Sequence, residues 1–269
     1  MGKAAKKKRQ QGLQSESLSN GKSLISSDIS SKWSLFNKPF VHFFLIAIVG
    51  FLVYSNTFNV PFHFDDAPNI VENYKLRDLS NFWPPSGLRW FGGLTFALNY
   101  YFGGLNVAGY HIVNLIIHIF NAILVYWLVI FTFRTPFFSY QQSEVSSQDN
   151  LKTYLPLFIA LLFVSHPIQT QAVTYIVQRF TSLATFFYLL SLVMYIKARL
   201  EVKAKVKFFS ASTLTFYIFS LISAILAMKT KEISFTLPVI IALYEFMFFE
   251  GNNKRRILYL LPLLLTMLI

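Results

Sequence analysis

The stretch HIVNLIIHIFNAIL, residues 111–124, decides how this chain is to be read. It is apolar over most of its length, yet His111, Asn114, His118 and Asn121 recur at spacings of three, four and three, which places all four on one face of an α-helix. A polar stripe on an otherwise oily helix faces protein or water, not lipid. Two readings follow: hydrogen bonds to neighbouring helices, or the wall of a substrate cavity. The two histidines, seven residues apart, lack the local pairing of common zinc motifs.

The rest of the chain agrees with a membrane setting. Hydrophobic residues make up 54% of the 269 and charged residues 13%, against about a quarter charged in soluble domains. Apolar segments fall at about 40–56, 111–133, 151–165, 180–196, 208–228, 233–249 and 257–269. Roughly 20 apolar residues cross a bilayer, so the expectation is an all-α polytopic protein of about seven spans. The last segment, ILYLLPLLLTMLI, would end inside the membrane, so the chain is expected to be a fragment of a longer protein. There is no Cys, and the redox compartment leaves no trace.

Residues 1–39 are a basic, Ser-rich tail without hydrophobic periodicity, expected to be disordered. Residues 40–269 form the transmembrane part. With the tail in the cytoplasm, most of the 24 Lys and Arg fall on the inner side, as the positive-inside rule requires. The net charge of +12 therefore reports topology and not nucleic-acid binding.

That topology sends FHFDDAPNI (62–70) to the start of a long first outer loop, about 57–110, and places SHPIQTQAVTYIVQR and KTKE on the same outer face. Within the loop, glycine pairs bracket a helix-like run expected to lie at the interface, with Trp83, Trp90, Tyr100 and Tyr101 at headgroup level or shaping a lipid groove. Pro167 after His166 ends or kinks the third span. Beyond it Ile168, Ala172, Tyr175 and Arg179 follow helical spacing. Arg179 is a candidate phosphate clamp or a snorkelling headgroup contact, and Lys231 beside Glu232 could meet a lipid phosphate or be ordinary loop charge.

In this order, FDD, LTFALNY, GYHIVNLIIHIFNAILVYWL, HPIQTQAVTYIVQR and KEISFTLP resemble the N-terminal membrane half of GT-C type glycosyltransferases, in the protein O-mannosyltransferase group that carries tetratricopeptide repeats. The resemblance covers about 58–250. It implies a polyprenyl-phosphate-linked sugar donor, a protein or glycan acceptor, and an outward-facing active site with an acidic motif that falls on Asp65 and Asp66. The chain departs from the group in having Gln171 where an acidic residue is frequent, and Arg89-Trp90 where Arg-Pro is frequent. The repeats and later helices lie outside this sequence.

Transfer to a hydroxyl needs a base, and an anionic phosphate leaving group needs cations. Asp65 or Asp66 is the expected base, Asp65 preferred, unless the pair serves as a cap for the DAPNI turn. The second carboxylate would orient the acceptor or hold a divalent cation; two carboxylates alone make a weak metal site. Arg89, His111, His166, Arg179, Lys231 and Glu232 are the expected substrate- and phosphate-binding residues. The alternative function is a non-catalytic carrier or subunit for lipid-linked sugars, or an inactive fragment. The membrane is expected to be the bacterial inner membrane, or that of the endoplasmic reticulum in a eukaryote.

Overall fold

The computed structural model describes residues 38–140, 149–203 and 210–268, and among them every regular element is helical. The basic tail up to residue 37 lies outside the described residues. By their contacts the residues form two compact units, one up to Leu45 and one from Ile46. Helix α1, Pro39–Tyr54, begins in the first and ends in the second; the packing described below belongs to the second.

Among the described residues three helices are long and apolar enough to cross a membrane: α3 (Val107–Phe133), α5 (Arg179–Lys203, overlapping the apolar stretch Ile176–Val202) and α6 (Ala211–Met228). A fourth crossing is available if α4 (Asp149–Ser165) and the segment Pro167–Thr174 act together across a 49° bend. Each of the other apolar segments expected to span is helical but short. Helix α1 has 16 residues, α7 (Leu237–Phe248) has 12 and α8 (Asn253–Leu265) has 13. At about 1.5 Å per residue they reach about 18–24 Å, less than a hydrocarbon core of about 30 Å. Local sequence shortens α7: the apolar run from residue 233 first makes a 3-10 turn, Glu232–Thr236, and Pro238 then sits in the first turn of the helix.

Helices α3, α5 and α6 pack side by side, and with α7 and α8 they enclose the main apolar core, which includes Tyr195, Ile196, Ala224, Leu237 and Leu263. The connection between α1 and α3 has a core of its own. Its 3-10 turns Tyr74–Arg77 and Leu79–Phe82 pack with helix α2 (Trp90–Gly103) around Ile70, Leu76, Phe82, Phe96 and Tyr110. The connection between α1 and α3 is thus a folded layer.

Glycine is required twice in that layer. A Cβ on Gly92 would stand 2.3 Å from a ring carbon of Phe180, so the pair at the start of α2 allows close approach to the start of α5. Gly104 ends α2 at φ 58, a left-handed conformation that favours glycine. Asn106 then caps α3 by accepting from the Ala108 N–H at 3.1 Å. The aromatics expected at headgroup level divide: Trp83 and Tyr101 are exposed, whereas Trp90 donates its indole N–H to Phe82 O at 2.7 Å and Tyr100 stacks under the Arg77 guanidinium.

Candidate functional site

The polar stripe on α3 is buried throughout, and each member is bonded to backbone. His111 Nε2 donates to Val60 O at 2.9 Å, and His118 Nε2 to Val164 O at 3.1 Å. Asn114 Nδ2 donates to the carbonyls of Val173 and Ile176, and Asn121 Nδ2 to Ser182 O. Of the two readings open in the sequence, the structure takes the first: the stripe ties helices together. What it ties is informative, because four of these five acceptors lie between residues 164 and 182, where the chain leaves regular helix.

That break follows from local sequence. His166 is extended (φ −65°, ψ 129°), Pro167 follows, and His166 Nδ1 accepts from the Ile168 N–H at 3.2 Å. A short helix, Thr170–Thr174, stops at Tyr175, which is extended, and a 3-10 turn, Ile176–Gln178, leads into α5. The helical spacing of Ile168, Ala172, Tyr175 and Arg179 therefore does not mark one amphipathic helix. Extended backbone at Tyr175 frees carbonyls inside the protein, and a buried carbonyl without a partner is costly; Asn114 satisfies two of them.

Arg179 completes this knot. It has no exposed surface, and its guanidinium donates to Asn114 Oδ1 (2.7 Å), Tyr110 O (3.0 Å) and Thr95 O (3.3 Å) while lying over the Phe96 ring. In this conformation no phosphate reaches it, so its place is that of a tie between α2, α3 and α5 and not of a clamp. His111, equally buried, holds the outer layer to α3 and does not face an open cavity. His166 is exposed and caps the turn that follows it.

The paired carboxylates separate. Asp66 is fully buried, and its Oδ1 accepts from the Val177 N–H at 2.7 Å while Oδ2 accepts from the His63 N–H at 3.2 Å. It makes no side-chain cap for the Ala67–Val71 turn that follows it; it caps the 3-10 turn before α5, 111 residues away. Asp65 is exposed, and its carboxylate interacts with the Tyr175 hydroxyl. Its backbone is held as well: its N–H donates to Tyr175 Oη at 3.0 Å and its carbonyl accepts from the Asn69 side chain at 2.8 Å. Phe64 before it has φ 50, unusual for a residue with a side chain, and the His63 ring stacks on Tyr175. One acid is spent on fixing the turn, and the fixed turn presents the other.

With both Asp66 oxygens on backbone N–H groups, the pair does not offer two carboxylates to one ion. Among the described residues no three His, Cys, Asp or Glu side chains gather as a metal group.

The remaining expected residues sit at the same end of α5. Lys231 Nζ donates to Thr181 Oγ1 at 2.6 Å, one turn beyond Val177. Arg89 and Glu232 form a two-pronged ion pair, 3.1 and 3.3 Å, at the surface, and Phe91 N–H donates to Lys229 O, which joins the start of α2 to the end of α6. The hydrogen bond from Arg89 holds the Glu232 carboxyl below the usual carboxylate range. Next to Lys231 and Glu232 a cavity of about 300 Å³ opens between α5 and the Glu232–Thr236 turn, lined by Thr181, Thr185, Tyr188 and Ser234. Tyr175 and Thr181 acquire their roles only through these contacts; the sequence signal for Tyr175 was its place in an amphipathic run, and Thr181 had none.

Asp65, Lys231, Arg89 and Glu232 lie at the end of the bundle where α3 and α5 begin, on a layer braced from beneath by buried polar ties. These features define an all-helical integral membrane protein with exposed or half-exposed charged groups collected at one end. Comparison with curated proteins agrees. The chain is 29% identical over 225 residues to Protein O-mannosyl-transferase TMTC4 of Homo sapiens, a match that covers 77% of this chain and 29% of that protein. It is 29% identical over 226 residues to Protein O-mannosyl-transferase TMTC2 of Homo sapiens, covering 78% and 24%, and 27% identical over 179 residues to Protein O-mannosyl-transferase Tmtc3 of Drosophila melanogaster, covering 59% and 19%. The chain is thus homologous to protein O-mannosyl-transferases, the group its motif order resembles, and spans about a quarter of the length of those relatives. No family model and no solved structure matches it.

Proposed function

We propose that this chain is the front membrane part of a glycosyltransferase that moves mannose from a polyprenyl-phosphate-linked donor to a protein hydroxyl at the outer membrane face, with Asp65 as general base. The names of the relatives support mannose and a protein acceptor. The observation that carries the role of Asp65 is the division of the acidic pair: the Asp66 carboxylate is buried on two backbone N–H groups, whereas that of Asp65 is exposed on a turn anchored by Asp66 and Tyr175. A base needs a lone pair free for the acceptor proton and a fixed position, and Asp65 meets both conditions.

Lys231 and Arg89 supply positive charge at the same end of α5 for the departing phosphate, with Glu232 orienting Arg89. Arg179, His111 and His166 act as positioning residues through the backbone they hold. The seven-span topology with a cytoplasmic N-terminus belongs to this proposal, the short helices inserting within the longer protein. The relatives above are animal proteins, which supports the endoplasmic reticulum over the bacterial inner membrane.

The test is mannose transfer from a radiolabelled polyprenyl-phosphate donor to peptide, with the protein in its full-length form. Asp65→Asn should lower kcat by about 10²–10⁴-fold, the usual contribution of general base catalysis, with a smaller effect on KM. Unchanged transfer by Asp65→Asn would remove the role assigned here.

A further inference from the structure

At the opposite end of the bundle, where α3 and α5 finish and α8 begins, a second cavity of about 340 Å³ is bordered by Arg199, Glu250, Asn252, Arg255, Arg256 and Tyr259. Its floor is a buried ion pair: Arg199 donates to both oxygens of Glu245 at 2.9 and 2.7 Å, and Tyr195 Oη donates to Oε2 at 3.0 Å. Arg199 and Glu245 neutralise each other there. The floor leaves two guanidinium groups from the first turn of α8 incompletely balanced: Glu250 borders the cavity, and Glu245, already paired with Arg199, stands 4.0 Å from Arg256.

Those two groups differ in state. Arg256 is mostly buried and donates through Nη2 to Phe249 O, but its Nε is buried without a hydrogen-bond partner among the described residues, 4.0 Å from Glu245 Oε1. Arg255 is exposed, and among the described residues its side chain makes no hydrogen bond or ion pair. An unsatisfied buried guanidinium N–H is costly, and a free arginine beside it supplies a second fork for the same ligand.

We infer that this cavity binds a phosphate group between Arg255 and Arg256. Guanidinium forks match tetrahedral phosphate oxygens, and the volume exceeds what a single small carboxylate needs. The group could arrive on an anionic lipid or as free phosphate. The site's position at the ends of membrane-length helices, on the face where basic residues collect, matches a lipid headgroup. It lies away from Asp65 and stands independently of the transfer reaction proposed above.

The experiment is thermal unfolding of the purified full chain in neutral detergent with added short-chain phosphatidylglycerol, with diacylglycerol of the same acyl length, or with inorganic phosphate. Phosphatidylglycerol should raise Tm, diacylglycerol should not, and Arg255→Gln should weaken the effect by about 10–100-fold in ligand concentration, as loss of a charge-assisted hydrogen bond predicts. The Arg255 side chain is exposed and makes no hydrogen bond or ion pair among the described residues, so that variant keeps its fold; Arg255→Lys should retain part of the effect. If inorganic phosphate matches phosphatidylglycerol and Arg255→Gln abolishes both, the site stands and its ligand is free phosphate. The inference fails if neither phosphate compound raises Tm, if diacylglycerol does so equally, or if Arg255→Gln responds like the unchanged protein.

Discussion

Replacing each of the two neighbouring aspartates by alanine should have opposite consequences, and the structure sets the size of the difference. Asp66→Ala removes two hydrogen bonds to an ionised carboxylate and leaves the Val177 and His63 N–H groups without their acceptor, the first of them buried. Hydrogen bonds to charged groups contribute about 1.5–3 kcal/mol each, and an orphaned buried donor costs about 1–3 kcal/mol. The carboxylate also lies at the N-terminal end of the helical stretch that becomes α5, worth a further 0.3–1 kcal/mol or so. Taking the weaker contact at 3.2 Å as half-strength, and the orphaned donor as part of the lost bond and not an addition to it, Asp66→Ala should destabilise by about 2.5–5.5 kcal/mol. Asp65→Ala loses a solvent-exposed contact with the Tyr175 hydroxyl and should stay within about 0.5 kcal/mol, as for ordinary surface positions. Thermal unfolding in detergent, followed by circular dichroism or by exposure of a reporter dye, reads both, and Asp66→Asn should fall between them because it keeps one acceptor oxygen. Equal loss of stability in the two alanine variants, or a larger loss at Asp65, would refute the division of roles on which the assignment of Asp65 rests.

Three further outcomes follow from the same geometry. Gly92→Ala drives a methyl into the Phe180 ring and should cost about 1–3 kcal/mol in unfolding experiments, like other overpacked sites. Glu245→Gln leaves Arg199 charged inside the bundle and should cost about 3–5 kcal/mol, a loss partly recovered by pairing it with Arg199→Met. Glu232 has a folded-state carboxyl value below its ordinary 4.5, so the stabilisation by its ion pair with Arg89 is full above that pH and is lost as pH falls through the lower folded value. The pair is half exposed, so Glu232→Gln should cost under about 1 kcal/mol at neutral pH and nothing in strong acid, measured as the difference in Tm between the two proteins.

Helix positions were legible because they are local: apolar runs of helical length appear in the structure within a few residues of where the sequence places them. Helix length was less so. The segment from 233 reads as one span, but the turn over Glu232–Thr236 takes its first residues away from α7. The identity of the chain's relatives was also legible, since motif order survives without any knowledge of geometry. The spacing of His111, Asn114, His118 and Asn121 showed that they share a face, but not whether that face meets water, because period alone says nothing of what lies opposite.

The sequence by itself determined an all-helical membrane protein, the neighbourhood of its polar residues along the chain, and its resemblance to mannosyltransferases. Only tertiary structure decided that Asp66 caps a turn 111 residues away while Asp65 stays exposed, that Arg179 is a buried tie, and that Arg199 pairs with Glu245 across two helices. The physical reason is common to all three. Whether a charged side chain is functional or structural depends on the partners that desolvation forces it to find, and those partners come from distant parts of the chain.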